Sequence, residues 1–547
     1  MDFLRNNRIL LHLTMGVVLS LIYPMQELFS GNQNVYFLWG MAELLPGAFA
    51  ADPLPNSADP YPFFSCLISP FPVQFIGVWT TTLYVLLNAI YSFALFGIAN
   101  EVADIYRHKS RLFSFLAFFL FLHCNPIWGT YFHLIADVDL RWVWDSGIAE
   151  QGVLRGYLQP SVFGVFLLLS FYFAARRNIT AAIFSIAPAA MIHANYLFLG
   201  AILTLIYLFQ ARFDRKSVFT SILLLVAVLP YSYYLYDHFI SLSTELKSAL
   251  DQAVMAGYES NIHINPINWL NAKFYLQLVV LVLASITIWK TRFRSLFFTI
   301  LITSAALTAI AYSTNHTTLI SLNPWRLSVL LVPVGVTVLA SKLVSSGVWG
   351  LLRPVLFSLF GSACIMLVYH RIFGNSSSEF FDQWLLVHLV VSATFVIISI
   401  WLSKQEWFSK SLEVLLVAAL IVTGSVETLI EQQSKSIQEQ FLAIEQLEGV
   451  EPNTVYIIPP NWTSFRLNAS KSVFVDENLV YGPGLPGIVD RQHIASKAYE
   501  TGNFGDVLVQ IPEEIAVKLI APNQTQVNTA ISQIPVSKTH SCYLLRE

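Results

Sequence analysis

Long apolar runs separated by short polar or basic segments dominate the first 430 residues. Runs of about 17 to 25 apolar residues are the length that a helix needs to cross a hydrocarbon layer of roughly 30 Å. The pattern predicts spans at residues 9–23, 75–98, 112–127, 161–175, 217–236, 269–288, 295–312, 327–343, 354–373, 384–402 and 412–429. We therefore expect an α-helical multi-pass membrane domain over residues 1–430.

The segment 178–210 is too long for one span, and basic residues flank both of its ends. Because basic residues collect on the cytoplasmic side of membrane proteins, both ends are expected there. Pro188, His193 and Asn195 are expected to mark the apex of a short helical hairpin, which protein must cover at its turn. With this hairpin the chain has about thirteen crossings.

The composition changes after the last predicted span. Residues 431–447 are polar with apolar positions three and four apart, which predicts an amphipathic linking helix over 431–449. The strings TVYIIPP, KSVFVDE, DVLVQIP and CYLLRE read as short strands, and residues 488–499 as a helix. Residues 450–547 are therefore predicted to form a small α/β domain.

Composition and charge agree with a membrane protein and give its orientation. Hydrophobic residues make up 55% of the chain and charged residues 12%, whereas a soluble domain carries roughly 25% charged residues. Most Lys and Arg residues before position 431 fall in alternate connections between the spans. This asymmetry predicts a cytoplasmic N-terminus and an extracytoplasmic C-terminal domain, with the lipid bilayer as a partner and no nucleic acid.

The first outer loop, residues 26–75, contains no Lys or Arg but carries Asp52 and Asp59. Each of these aspartates precedes a proline, which favours an extended conformation. Aspartate beside proline is also ordinary turn chemistry. A carboxylate in such a loop can instead take a proton from a hydroxyl group or bind a divalent cation. Both interpretations stay open.

Other polar residues are expected to face the same compartment. Asp137, Asp139 and Arg141 lie in the second outer loop, His193 lies at the hairpin apex, and Arg326 begins a span in the string NPWRLS. Arg and His side chains can bind a phosphate group. The alternatives are that His193 only makes a turn hydrogen bond and that Arg326 only anchors its span at the lipid headgroups.

Several strings support a resemblance: NQNVYFLWGMA, SADPYPFFS, YLQPSVFG, IHANYLFL, PWRLSVLLVP and FRLNASKSVFVD. Together with the layout of the chain, they resemble uncharacterised bacterial multi-pass proteins related to the GT-C superfamily of membrane glycosyltransferases. Enzymes of that superfamily take sugars from polyprenyl-phosphate donors and place an acid in the first outer loop. Asp52 or Asp59 matches that acid, although the adjacent acidic pair that is frequent in the superfamily is missing from this loop.

The resemblance implies a GT-C-like fold in a bacterial inner membrane and transfer of a sugar from a polyprenyl-phosphate donor to an extracytoplasmic acceptor. Asp52 or Asp59 would be the base, and Arg326, His193 and Arg141 would contact the donor phosphate. The cofactor is open, with a divalent cation as one option, and so is the oligomeric state. A noncatalytic scaffold in surface-polysaccharide assembly and a lipid or solute transporter are the alternatives.

Overall fold

The computed structural model describes part of the chain. The described residues are 7–23, 28–29, 32–52, 54–133, 137–240, 263, 265–314, 319–320, 322–373, 406–432, 454–458, 465–471, 473, 488–501, 504, 507, 510–511, 516–521 and 540–544. The predicted span at 384–402 and almost all of the predicted linking helix at 431–449 lie outside these residues. The structural statements below concern the described residues.

Helices make up most of the described chain. We number them α1 (Arg8–Ile22), α2 (Gln33–Tyr36), α3 (Leu38–Leu44), α4 (Pro62–Ile68), α5 (Ile76–Ala103), α6 (Lys109–His123), α7 (Val165–Ala175), α8 (Ile179–Ile192), α9 (Ala194–Gln210), α10 (Arg215–Leu235), α11 (Ala272–Ile288), α12 (Arg294–Ser313), α13 (Ser328–Ser345), α14 (Trp349–Phe373), α15 (Glu406–Gln432), α16 (Phe465–Ala469) and α17 (Ile488–Thr501).

The apolar runs that fall within the described residues are helical, and the helix ends lie within a few residues of most predicted ends. Four of them, at Val73–Ala103, Arg215–His238, Arg294–Ser313 and Pro324–Ser345, are long and apolar enough to cross a membrane, and other apolar helices are shorter. The structure is thus that of a helical protein suited to a bilayer. About thirteen crossings and a GT-C-like arrangement remain predictions.

Burial separates central helices from peripheral ones. Within Pro324–Ser345, which contains α13, 83% of the most apolar stretch is buried, against 22% for Arg215–His238, which contains α10. Leu225 and Val226 on α10 are each 60% exposed. Such apolar exposure on a long helix is expected where lipid tails replace water as the surrounding medium.

The hairpin consists of α8 and α9, and its turn is confirmed at His193. Pro188 does not take part in the turn, because it lies inside α8 and the helix continues past it. Prolines inside membrane helices are tolerated where neighbouring protein satisfies the freed backbone groups. The turn at the apex therefore involves fewer residues than the sequence suggested.

Three connections meet at one end of the helix bundle. Glu101 near the end of α5 forms an ion pair with Arg176, just after α7, at 3.5 Å, and a second one with Arg292 between α11 and α12. Both arginines belong to segments predicted to be cytoplasmic. We call this end the basic face and the opposite end, which carries the residue 26–75 loop, the loop face.

The orientation of these faces can be measured with alkaline phosphatase fusions in cells. Fusions after residue 440 are expected to be active, because the charge asymmetry predicts that the C-terminal domain lies outside. Fusions at residues 212–216, in the connection after α9, are expected to be inactive. Activity at 212–216 would contradict the hairpin topology, and inactivity after 440 would contradict the external placement of the domain.

The C-terminal region contains a parallel three-stranded sheet in the order β1 (Thr454–Ile457), β2 (Ala516–Ala521) and β3 (His540–Leu544). Thr454 pairs with Ala516, and Val517 pairs with His540. Helix α17 lies between β1 and β2 in the chain, as expected for parallel strands joined by a crossover. The α/β character predicted for this region is therefore present.

One predicted strand in this region is wrong and another was missed. In the string DVLVQIP, Val507 lies in a helical turn, and its N–H donates to Phe504 O at 3.1 Å. The second strand is instead AVKLIA at Ala516–Ala521. Short apolar runs fit strands and helical turns equally well, so periodicity alone could not separate them. From KSVFVDE, the structure describes one parallel bridge between Val473 and Tyr456.

Candidate functional site

Arg326 and His193, which are 133 residues apart in sequence, meet at the loop face. Nη1 of Arg326 lies 3.3 Å from Nε2 of His193, and Nε of Arg326 donates to Oε1 of Gln151 at 2.8 Å. The guanidinium also lies over the ring of Tyr196 at 5.9 Å. With Tyr61, whose ring centroid is 5.6 Å from that of His193, these residues form what we call the Arg326 cluster.

Local backbone chemistry presents Arg326 to the cluster. Asn323 adopts a left-handed conformation with φ of 50°, which Asn tolerates better than most residues. Pro324 then opens the short helical turn Pro324–Leu327, and the Arg326 N–H donates to Asn323 O at 2.9 Å. This turn precedes the buried helix α13, so Arg326 is held at the entrance of a rigid element.

For His193 the sequence left open a turn hydrogen bond and a place in the phosphate-binding group. The structure places it both in the turn and beside Arg326. It is the residue before α9, and its Nδ1 accepts the Asn195 N–H at 3.2 Å, so it caps the helix. Its Nε2 faces Arg326. Its burial and the adjacent guanidinium charge both favour a neutral imidazole ring.

Hydrogen-bond donors outnumber acceptors in the Arg326 cluster. A neutral imidazole has only one acceptor nitrogen, yet both the Asn195 N–H and Arg326 Nη1 are directed at His193. Gln151 is 3% exposed, and within the described chain its Nε2 is buried without a hydrogen-bond partner. Two donors at one positively charged site thus lack acceptors, which is the arrangement that an anion with several oxygens would satisfy.

Aromatic side chains extend the cluster. The rings of Tyr36 and Tyr61 meet edge to face with centroids 5.0 Å apart, and the rings of His193 and Tyr196 lie 4.8 Å apart. Burial raises the pKa of Tyr61 to about 12. These phenols therefore stay protonated at neutral pH and act as neutral donors or packing surfaces.

Asp59 lies two residues before Tyr61 and next to this cluster. Its Oδ1 accepts the Tyr61 N–H at 2.7 Å, and the charges of Asp59 and Arg326 both act on the Tyr61 hydroxyl. Burial raises the pKa of Asp59, hydrogen bonds from the Ser65 side chain and the Tyr61 N–H oppose this, and the Glu43 carboxylate on α3 adds a smaller raising contribution. A raised pKa makes Asp59 a stronger base than a solvated aspartate.

Asp52 lies in a different environment. It is 0% exposed, and its Oδ2 forms an ion pair with Nε of Arg466 in the C-terminal region at 2.9 Å. The backbone N–H groups of Leu54 and Val473 donate to its two carboxylate oxygens at 3.0 Å and 3.3 Å. Burial raises the pKa of Asp52, and the Arg466 charge opposes this. Its carboxylate is thus occupied by protein groups.

The second-loop candidates lie on the surface. Arg141 forms an ion pair with Asp139 at 2.9 Å, and these side chains are 60% and 47% exposed. Asp137 is 92% exposed and lies 3.3 Å from His133. Within the described residues, no group of three or more His, Cys, Asp or Glu side chains is placed to hold a metal ion. The donor-rich Arg326 cluster suits an anion better than a cation.

The structure adds residues that the sequence did not single out. Gln151 and Glu43 gave no signal, because an isolated amide or acid in a loop or short helix matches no motif. Asp145, which the sequence groups with Asp137 and Asp139 in the second loop, is 2% exposed, accepts a hydrogen bond from the Tyr23 hydroxyl, and has its pKa raised to about 7 by burial. Through this hydrogen bond Asp145 connects the second loop to Tyr23 at the end of α1.

Comparisons with known proteins give no relative: no family model, no curated protein and no solved structure matches the chain.

Proposed function

We propose that this protein transfers a sugar from a polyprenyl-phosphate donor to an acceptor hydroxyl at the extracytoplasmic face of a bacterial inner membrane. The loop face is that extracytoplasmic face, and the Arg326 cluster binds the phosphate of the donor. The observation that carries the proposal is the meeting of Arg326, His193 and Gln151, with unused donors, beside the loop that carries Asp59.

The charge of the cluster supports a phosphate ligand. Arg326 is a permanent cation with several N–H groups, and phosphate oxygens accept such donors in pairs. With His193 neutral, an anion placed against Arg326 frees the imidazole to donate from Nε2 while Nδ1 keeps its bond to Asn195. The same anion also lies within reach of the amide group of Gln151, which is bonded to Arg326.

The surroundings of the cluster support a lipid-borne ligand. The lipid-facing helix α10 carries Tyr231, whose hydroxyl donates to Pro60 O at 3.0 Å and whose ring meets Phe63 at 5.8 Å. Pro60 follows Asp59 directly. The inner face of α10 thus contacts the loop segment that carries Asp59 and Tyr61, while Leu225 and Val226 on the same helix are exposed to lipid.

The chemistry that follows is an inverting transfer. Asp59 takes the proton of the acceptor hydroxyl as its oxygen attacks the anomeric carbon from the side opposite the phosphate. The bond between the anomeric carbon and the phosphate oxygen breaks, and its electron pair leaves with the polyprenyl phosphate. Arg326 and the neutral His193 stabilise the charge that develops on this leaving group.

The resemblance to GT-C enzymes supports the position of the acid in the first loop, although this chain departs from the GT-C pattern in one feature. The first loop contains no adjacent acidic pair, but Glu43 lies near enough for its charge to act on Asp59. Two carboxylates that act on each other keep the proton affinity of one of them high. Asp59, rather than Asp52, is therefore the proposed base.

The test compares lipid extracts of cells that lack the protein with those of cells complemented by wild type or by Asp59→Asn. We expect one polyprenyl-phosphate sugar to accumulate without the protein and with Asp59→Asn, and to return to its normal level with wild type. Asp237→Asn, which removes an exposed acid just after α10, is the matched control and should complement.

Two outcomes contradict the proposal. If the lipid-linked sugars are the same with and without the protein, no such donor is consumed. If Asp59→Asn complements fully at an equal membrane level, the fold acts without this base, and the noncatalytic scaffold is the better description.

A further inference from the structure

The ion pair between Asp52 and Arg466 joins two distant parts of the chain. The two residues are 414 positions apart, and both side chains are 0% exposed. The Val473 N–H, also from the C-terminal region, reaches the same carboxylate at 3.3 Å. The C-terminal domain therefore makes its contact with the first loop through a fully desolvated charge pair.

We propose that Arg466 is a positioning residue that acts through Asp52 to fix the loop segment carrying Asp59. The role of this segment in catalysis rests on the proposed function, whereas the mechanical link between Arg466 and the loop does not. The C-terminal domain thereby completes the site from outside the helix bundle.

Local hydrogen bonds extend from the ion pair to Ser57, two residues before Asp59. Asp52 Oδ1 accepts the Leu54 N–H at 3.0 Å, and Leu54 O accepts both the N–H and the hydroxyl of Ser57 at 3.0 Å and 2.7 Å. Asn56 Nδ2 donates back to Asp52 O at 2.7 Å. The turn that begins at Asp52 is thus closed on itself just before Asp59.

The other side of the segment is held by the membrane domain. Tyr231 on α10 donates to Pro60 O, and Trp39 on α3 donates from Nε1 to Ser57 O at 3.2 Å. Asp59 therefore lies between two contacts with the membrane domain, and the Asp52 end of the turn is held by the C-terminal region. Loss of the Arg466 contact removes the ion pair at the start of the turn and leaves the turn held at Ser57 by Trp39.

The energetics of buried ion pairs give the link a clear signature. Removal of one partner leaves an unpaired charge in a dry site and is strongly destabilising, whereas removal of both partners is much less so. The single variants Asp52→Asn and Arg466→Gln are thus expected to melt earlier than the double variant. In the double variant, the melting temperature is expected to recover while the charge pair between the loop and the C-terminal region is still missing. If Arg466 only stabilises the fold, the loop should recover with the melting temperature. If Arg466 positions the loop, the loop should stay more mobile than in wild type.

Hydrogen exchange of the full-length protein in detergent tests the link. In Arg466→Gln and in the double variant, the amides of residues 54–61 are expected to exchange roughly tenfold faster or more than in wild type, since the anchored turn opens locally. Lys497→Gln removes an exposed cation of the same domain and is the matched control. Its exchange over residues 54–61 should equal that of wild type.

Transfer activity supplies the second readout. The double variant is expected to regain most of the melting temperature lost in the single variants but to keep a turnover about tenfold or more below wild type. Unchanged exchange over residues 54–61 in the double variant overturns the proposal, and so does wild-type turnover in that variant. If wild-type protein transfers no sugar, the proposed function fails while the exchange result still decides the link.

Discussion

Replacement of Arg326 by Gln is expected to lower kcat/KM for transfer from a polyprenyl-phosphate sugar by about 10²–10³. Arg326 is the permanent cation of the cluster, and it holds Gln151 and faces His193. Gln retains hydrogen-bonding capacity but loses the charge that the leaving phosphate needs. Arg326→Lys should recover part of the loss, because it keeps the charge without the planar fork.

Binding of two lipids separates a phosphate contact from a lipid contact. A polyprenyl phosphate without sugar should bind purified wild type, and Arg326→Gln should weaken this binding by about tenfold or more, as expected for a hydrogen-bonded charge. The uncharged polyprenol should bind both proteins equally. An equal loss for both lipids would contradict a phosphate contact and would indicate a disturbed fold.

Arg141→Gln serves as the discriminating variant for this prediction. The sequence placed Arg141 with Arg326 and His193 as a donor-phosphate contact, whereas the structure pairs it with Asp139 on the surface. Exposed ion pairs contribute about 0–1 kcal/mol, so this substitution should leave the fold unchanged. A loss of phosphate binding as large as that of Arg326→Gln would restore Arg141 to the site.

The helical part of the chain was predictable because one physical constraint, the thickness of the bilayer, sets both the composition and the length of its elements. The end points of α1, α12 and α13 therefore agree closely with the apolar runs. The C-terminal domain was less predictable, since strands such as Ala516–Ala521 are short and buried and lack an alternating pattern.

The candidate site also contains a part that the sequence predicts and a part that only the folded structure reveals. The approach of His193 to Arg326 was foreseeable from topology, since charge asymmetry assigned both to one face. The partner of Asp52 was not foreseeable, because Arg466 lies 414 positions away in a different domain and only the folded chain brings them together. Glu43 and Gln151 were not foreseeable either, because they belong to no motif and their proposed roles depend on the residues that the fold places beside them.

The two first-loop aspartates show how the same local sequence can serve different purposes. Both precede a proline and both accept a backbone N–H two residues on, at Leu54 and Tyr61 respectively. What separates them is the second carboxylate oxygen, which in Asp52 is held by Arg466. Since the Asp52 carboxylate is fully buried and its oxygens are occupied by Arg466 and two backbone N–H groups, it is not placed to take a proton from a substrate.

Asp59→Asn is expected to reduce kcat by about 10²–10⁴, the usual contribution of a positioned general base. The pH profile identifies the cause. A base must be ionised, so wild-type kcat/KM should fall as the pH drops through the pKa of Asp59. Because burial and the Glu43 charge raise that pKa, the fall should begin at a higher pH than for a solvated aspartate.

The two acids of the first loop can then be told apart by the shape of the profile. Glu43→Gln should move the acid limb to lower pH while keeping most of the activity, since it removes a like charge that raises the pKa of Asp59. The residual activity of Asp59→Asn should lack that limb, whereas Asp52→Asn should keep it at reduced turnover. If the acid limb persists in Asp59→Asn and disappears in Asp52→Asn, Asp52 is the base instead of Asp59. The buried ion pair between Asp52 and Arg466 would then have to open during turnover.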